Sequence, residues 1–240
     1  QERFFFLNGK KIPKNVTYNF PQSFTEVNLI TKDNETINAL HFKLEKSKGV
    51  ILFFHGNKGN LQRWGNIVSY LLEYEYEVFV IDYRNYGKST GSFNELKMYD
   101  DALLAYNHLT TKFSEDKIVV YGRSLGATFA AKVASENNPM HLILEAPFYN
   151  LKKATQFYFV LSPTFLIKYP FRTDLLIDKV ASPVTFFHGD QDKTTSFDHS
   201  KELFKLVNSQ QKEFVSIPTA THHNVKDYKI YTSKMKSILE

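Results

Sequence analysis

The sequence predicts an α/β protein: a mostly parallel central sheet of about eight strands, helices on both faces, and a short helical cap inserted between two strands. Two observations carry this expectation. After residue 48, short apolar runs alternate with longer segments of amphipathic spacing, the pattern of a parallel sheet covered by helices. Before it, Phe24 to Leu29 and Ile37 to Leu44 flank the polar stretch Lys32-Asp33-Asn34-Glu35, which reads as an antiparallel hairpin on one sheet edge.

The parallel part is expected to begin at Val50. Val50 to Phe54, Val78 to Ile81, Ile118 to Tyr121, His141 to Leu144, Val184 to Phe187 and Phe214 to Ile217 are short and apolar, as strands buried on both faces must be. Between them, Leu61 to Leu72, Glu95 to Leu109, Leu125 to Ser135, Phe197 to Val207 and Val225 to Leu239 have lengths and apolar spacings suited to helices. One connection is much longer than the rest. Residues 148–180 contain Pro163, Pro170 and the run Phe157-Tyr158-Phe159-Val160-Leu161, and are assigned as the cap, since connections of this length are usually functional. The expected organisation is an N-terminal extension over residues 1–23 and a single domain over residues 24–240 that carries the cap.

Composition narrows the chemistry. The 240 residues contain no cysteine, which excludes disulfide scaffolds, thiolate metal sites and cysteine nucleophiles. The net charge is +5, but the 30 Lys and Arg are scattered among 25 Asp and Glu without a block of like charge, so a solvated surface is expected rather than a nucleic-acid interface. No apolar stretch reaches the roughly 20 residues that span a bilayer. The start at Gln1 and the run Phe4-Phe5-Phe6-Leu7 suggest a trimmed membrane anchor or leader upstream, compatible with association with a membrane surface. Compartment and oligomeric state are left unassigned.

The chemistry-bearing motif is Gly122-Arg123-Ser124-Leu125-Gly126, which directly follows an apolar strand and directly precedes the Ala-rich segment Ala127 to Ala134. A serine at such a strand-to-helix corner is exposed at a strained turn, and flanking glycines let the turn close. A serine hydroxyl needs a base and an orienting acid to become a nucleophile. Both are available later in the chain, in the order serine, acid, histidine. Phe186-Phe187-His188-Gly189-Asp190-Gln191-Asp192 ends a strand in two carboxylates, of which Asp192 is the preferred acid and Asp190 the fallback. Past the last strand, Thr221-His222-His223 supplies the base, with His222 preferred over His223. An oxyanion needs two backbone N–H donors. Leu125 supplies one, and Asn57, after the first parallel strand in Phe53-Phe54-His55-Gly56-Asn57, supplies the other.

Together with Asp82-Tyr83-Arg84-Asn85-Tyr86-Gly87-Lys88-Ser89, these motifs resemble the α/β-hydrolase superfamily over residues 24–240. The HGN ending of the first parallel strand, the GRSLG elbow and the short cap are similar to a group of small serine hydrolases often tethered by an N-terminal membrane helix. The resemblance implies an α/β-hydrolase fold, Ser124 as nucleophile, Asp192 as acid, His222 as base, and Asn57 with Leu125 as oxyanion donors; it also makes Glu145, at the end of the strand after the elbow, a third-ranked place for the acid. This chain departs from the group in having Thr221 where a glycine commonly precedes the histidine, and in the doubled His222-His223.

Rival motifs fit less well. Asp190-x-Asp192-x-Thr194 matches the signature of aspartate-nucleophile phosphatases, but lies late in the chain rather than on an early strand. A calcium loop beginning at Asp190 would place Thr195 and Lys201 where glycine and glutamate are needed. Gly56-Asn57-Lys58-Gly59 lacks the spacing of a phosphate-binding loop. The expected activity is cleavage of a carboxylic ester, lipid-like or thioester acyl groups included, through an acyl-enzyme. The alternatives are an inactive hydrolase-fold binding protein and, behind it, a serine peptidase or amidase. The expected partner is a small-molecule ester or acyl substrate, and no cofactor or metal is called for. Phe157 to Leu161, Phe165, Leu166 and Ile167 either line an acyl pocket, face a lipid surface or pack the cap onto the domain.

Overall fold

The hairpin forms from β1, Phe24–Ile30, and β2, Thr36–Phe42, paired antiparallel from Phe24 with Phe42 to Ile30 with Thr36. Its turn closes on Thr31, whose hydroxyl donates to Asp33 and accepts from the Glu35 amide, with Asn34 in the left-handed conformation that asparagine tolerates. These features belong to a computed structural model that describes residues 11–158 and 164–240. Phe4 to Leu7, and Phe159, Val160 and Leu161 of the cap, lie outside the described residues, as do the side chains of Tyr158 and Leu166.

Six parallel strands follow: β3 Gly49–Phe54, β4 Tyr76–Ile81, β5 Ile118–Arg123, β6 His141–Glu145, β7 Val184–Gly189 and β8 Lys212–Ile217. The sheet order is β1-β2-β4-β3-β5-β6-β7-β8, with β2 antiparallel to β4. From β3 the chain first moves outward to β4 and then returns to add β5 on the other side. That reversal opens a crevice at the carboxyl ends of β3 and β5, where open α/β sheets bind ligands.

Seven helices cover the sheet among the described residues: α1 Leu61–Val68, α2 Glu95–Thr110, α3 Gly126–Glu136, α4 Leu151–Tyr158, α5 Asp174–Ile177, α6 Phe197–Lys205 and α7 Lys229–Leu239. Side chains alternate across each strand. Val50, Leu52 and Phe54 of β3 therefore pack with α2, α3 and the cap on one face, while Ile51 and Phe53 pack with α1 and α7 on the other. Tyr18 and Phe20 join the second face, and Lys11 pairs with Gly87 after β4.

Two expected helices are shorter than their apolar patterns. Leu61 to Leu72 is α-helical only to Val68 and then tightens into a 3-10 turn over Ser69–Tyr74, which ends at left-handed Glu75. Val225–Asp227 is likewise a separate 3-10 turn before α7. Val225 and Tyr231 are both buried, yet in one continuous helix they would point about 120° apart. The break at Tyr228 rephases the chain so that both reach the core.

The cap rests on α2 and α3. Glu95 accepts from the Phe171 amide at 3.0 Å, Tyr169 donates to the Phe93 carbonyl at 3.1 Å, and Thr128 meets Thr173 at 2.7 Å. Tyr169 and Phe171 are buried there, whereas Phe157 and Phe165 remain exposed, Phe165 at 86%. Among the described residues, no helix is long and apolar enough to cross a membrane.

Burial also ties stability to pH. Burial first, and Lys234 second, push His141 from 6.5 down to about 4, so its ring is neutral in the folded protein near neutral pH. An unfolded chain takes up that proton from pH 6.5 downward. The stability that the neutral histidine carries is therefore present above pH 6.5 and is lost as pH falls toward 4. Urea denaturation at pH 7 and pH 5 should show this loss, and His141→Gln should reduce it; a slope unchanged by the substitution would refute the assignment.

Candidate active site

Ser124 sits one residue beyond the end of β5 with φ of 53°, a left-handed conformation that costs a serine strain. Its amide donates to the Glu145 carbonyl at 2.9 Å, which fixes the corner against β6. The corner closes only because its flanks lack side chains. A methyl group on Gly122 would stand 2.5 Å from the Gly126 carbonyl oxygen and 2.6 Å from Ala130 Cβ. One on Gly126 would overlap the carbonyl of Phe54, at the end of β3. Leu125 is buried at the entry to α3.

Across the crevice lies His55-Gly56-Asn57. A methyl group on Gly56 would touch the Ser124 Cβ at 3.7 Å, so this loop passes directly beside the serine. His55 is fully buried between Trp64 and Tyr83, its Nδ1 donates to the Gly56 carbonyl at 2.7 Å, and its Nε2 lies 3.2 Å from Asp82. Burial pushes the Asp82 carboxyl up, against the pull of His55. Tyr83 donates to the His55 carbonyl and Tyr86 to the Asn57 side chain, at 2.6 and 2.7 Å. The segment after β4 thus holds the loop after β3 in one shape.

The structure brings Asp192 and His222 together. Asp192 Oδ2 accepts from His222 Nδ1 at 2.8 Å, and both side chains are buried. Asp192 also accepts from the Thr194 and Thr195 amides at 2.7 and 2.9 Å, and from the Thr195 hydroxyl at 2.9 Å. His188 Nε2 stands 3.2 Å from the same Oδ2. Burial alone would raise the Asp192 carboxyl, but the hydrogen bonds from His188 and His222 outweigh it and hold it well below the usual carboxylate range.

The alternatives are occupied elsewhere. Asp190 is exposed and accepts from the Thr219 amide at 2.8 Å, bracing the turn. Glu145 is bound by Arg123 at 3.0 Å and by the Tyr121 hydroxyl at 2.6 Å. His223 is exposed, its ring perpendicular to that of His222 at 5.3 Å, and burial and the neighbouring charges of His222 and Arg123 push its pKa down. An ionised acid, a histidine with one ring nitrogen committed to it, and a strained serine at a helix start are the parts needed to transfer an acyl group.

A family model described as serine aminopeptidase S33 matches residues 45–175. Protein bem46 of Schizosaccharomyces pombe is 30% identical over 217 residues, covering 85% of this chain and 73% of that protein. The chain belongs to the α/β-hydrolase superfamily. Family membership places it among hydrolases, and its eight-stranded sheet is the α/β-hydrolase sheet. Another α/β-hydrolase relative, the lysophosphatidylserine lipase ABHD12 of Gallus gallus, is 26% identical over 210 residues, covering 78% of this chain and 51% of its own length. Among solved structures, an esterase of Pyrococcus furiosus, Pf2001, superposes with a TM-score of 0.75 at 19% identity, covering 97% of this chain and 98% of that one.

Some residues of this α/β-hydrolase site escape sequence reasoning. Arg123, His188 and Thr195 shape it, yet none belongs to the serine, acid and histidine set. A signal for Arg123 does exist. It and Glu145 are the last residues of β5 and β6 and stand opposite each other in register, so opposite charges at two adjacent strand ends would reveal the pair once the strand order is known.

Proposed function

We propose that this protein hydrolyses carboxylic esters of small or lipid-like acyl substrates, with Ser124 as nucleophile, His222 as base and Asp192 as acid. The observation that carries the reading is the buried 2.8 Å contact between Asp192 and His222 Nδ1, in a chain whose serine occupies the strained corner after β5. Ser124 Oγ attacks the acyl carbon while His222 Nε2 takes the hydroxyl proton. The carbonyl oxygen, now negative, is held by the N–H groups of Asn57 and Leu125. The intermediate collapses, the carbon–oxygen bond to the alcohol breaks, and His222 returns the proton to that alcohol. Water then attacks the acyl-serine with His222 again as base, releasing the acid and restoring Ser124.

Support for lipid-like substrates comes from the cap, where Phe157 and Phe165 are exposed, and from relatives named as lysophosphatidylserine lipases. Such substrates also fit work at a membrane surface. An activity rising from acetyl to medium-chain esters is the expected profile, and a flat profile would remove the cap from acyl recognition.

The test is a fluorophosphonate probe read by intact mass. Wild type should gain one adduct and Ser124→Ala none, with ester turnover falling by on the order of 10⁴-fold or more. A variant that kept the adduct or the activity would overturn the assignment of Ser124. The doubled histidine is settled separately: His222→Ala should abolish turnover, while His223→Ala should leave it within about threefold of wild type.

A further inference from the structure

We propose that Arg123 is a positioning residue: it fixes His222 relative to Ser124 by holding the histidine's backbone, without touching substrate. This rests on the reading of Ser124 and His222 as nucleophile and base. Arg123 immediately precedes Ser124, and its Nη2 donates to the His222 carbonyl at 2.6 Å. The bond joins the residue beside the nucleophile to the residue carrying the base, across 99 positions of sequence.

The guanidinium is itself held from two further sides. Its Nε lies 3.0 Å from Glu145 Oε1, at the matching end of the neighbouring strand. Trp64 covers it, with the guanidinium carbon 5.6 Å from the ring centroid. Glu145 is fixed in turn by the hydroxyl of Tyr121, which shares a face of β5 with Arg123 and meets Tyr231 at 3.0 Å; Tyr231 meets Tyr70 at 2.6 Å. The fork of Arg123 therefore has little freedom, and its planar donors can serve a carboxylate and a carbonyl at once.

The loop carrying His222 has separate tethers toward the acid. Gln191 donates to the Ala220 carbonyl at 3.0 Å and Thr219 to Asp190 at 2.8 Å. These set the loop against the turn that bears Asp192. Arg123 sets it against β5 and the serine. Loss of Arg123 should keep the Asp192 contact and loosen the approach of His222 to Ser124, and misplacement by about 1 Å can cost on the order of 10²-fold in rate.

The experiment compares wild type, R123M, R123K and the double variant R123M/E145M, which leaves no unpaired buried charge. Reactive serines are titrated to completion with the fluorophosphonate, and kcat is expressed per titrated site. In R123M and in the double variant, per-site kcat should fall by about 10²-fold with KM within about threefold. Lysine, with one ammonium group to share between Glu145 and the carbonyl, should recover about tenfold of that loss. A residue that merely supports folding would lower the number of reactive sites and leave per-site kcat unchanged. Per-site kcat within twofold of wild type in all three variants overturns the proposal, as does a rise in KM at constant kcat, which would mean contact with substrate. If the methionine variants fail to fold, R123K alone decides by the same criterion. Failure of the parent reading is distinguishable, because it appears in Ser124→Ala retaining the adduct, whatever Arg123 does.

Discussion

Asp192→Asn should lower ester turnover by about 10⁴-fold while leaving the fold intact. The direction follows from the donors around the carboxylate. The amides of Thr194 and Thr195 both point at Oδ1, so an asparagine keeps its carbonyl oxygen on that side. Its NH₂ group then faces His222 Nδ1. Two donors cannot share that contact, so Nδ1 must become the acceptor and the ring proton moves to Nε2. A histidine protonated at Nε2 cannot take the proton of Ser124. Circular dichroism should show an unchanged fold, and turnover should stay low at every pH at which the protein is folded. A loss below tenfold would exclude Asp192 as the acid and direct attention to Glu145.

Gly126→Val should have the largest effect on stability. The added carbons overlap the Phe54 carbonyl, with the His55 carbonyl 2.8 Å away, and neither neighbour is a flexible side chain that can turn aside. Relief requires α3 to lift off the sheet, and with it the cap contacts of Thr128 and the shape of the turn at Ser124. Overpacking of this kind costs about 3 kcal/mol or more, which for a domain of this size lowers the melting temperature by roughly 10 °C. Differential scanning fluorimetry measures it. A melting temperature within about 2 °C of wild type would mean that the helix has room to move and that the tight approach is not required.

Much of this architecture is legible in the sequence because each buried strand is short, apolar and bounded by turn residues. The turn at Ser124 is legible for a related reason: glycines at 122 and 126 have no other use in so apolar a stretch. Asp192 and Asp190 are both legible as carboxylates after the strand, one of them expected to brace the turn, and in the structure it is Asp190 that accepts from the Thr219 amide. The choice between His222 and His223 rests on which ring meets Asp192, a contact across 30 positions that no local preference encodes. Glu145 was legible as a candidate acid but its pairing with Arg123 was not, nor was the approach of His188 to Asp192, because these contacts form only once strands and loops distant in sequence are brought together. The 3-10 turns after Val68 and before Lys229 were hidden by the same logic, since the apolar pattern continues through them and only the packing of Leu71, Val225 and Tyr231 shows why the helix must stop.

The pairing of Lys11 with Gly87 has a practical side. Gly87 follows β4 at the end of the sheet where Ser124 lies, so a rigid carrier attached at Lys11 would stand at the same end of the sheet as the serine. Leu239 and Glu240 lie beside Lys48 and Glu75, which precede β3 and β4 at the far end. Anchored to a chip or resin through Glu240, the molecule presents its reactive end outward; anchored through Lys11, it turns that end to the wall.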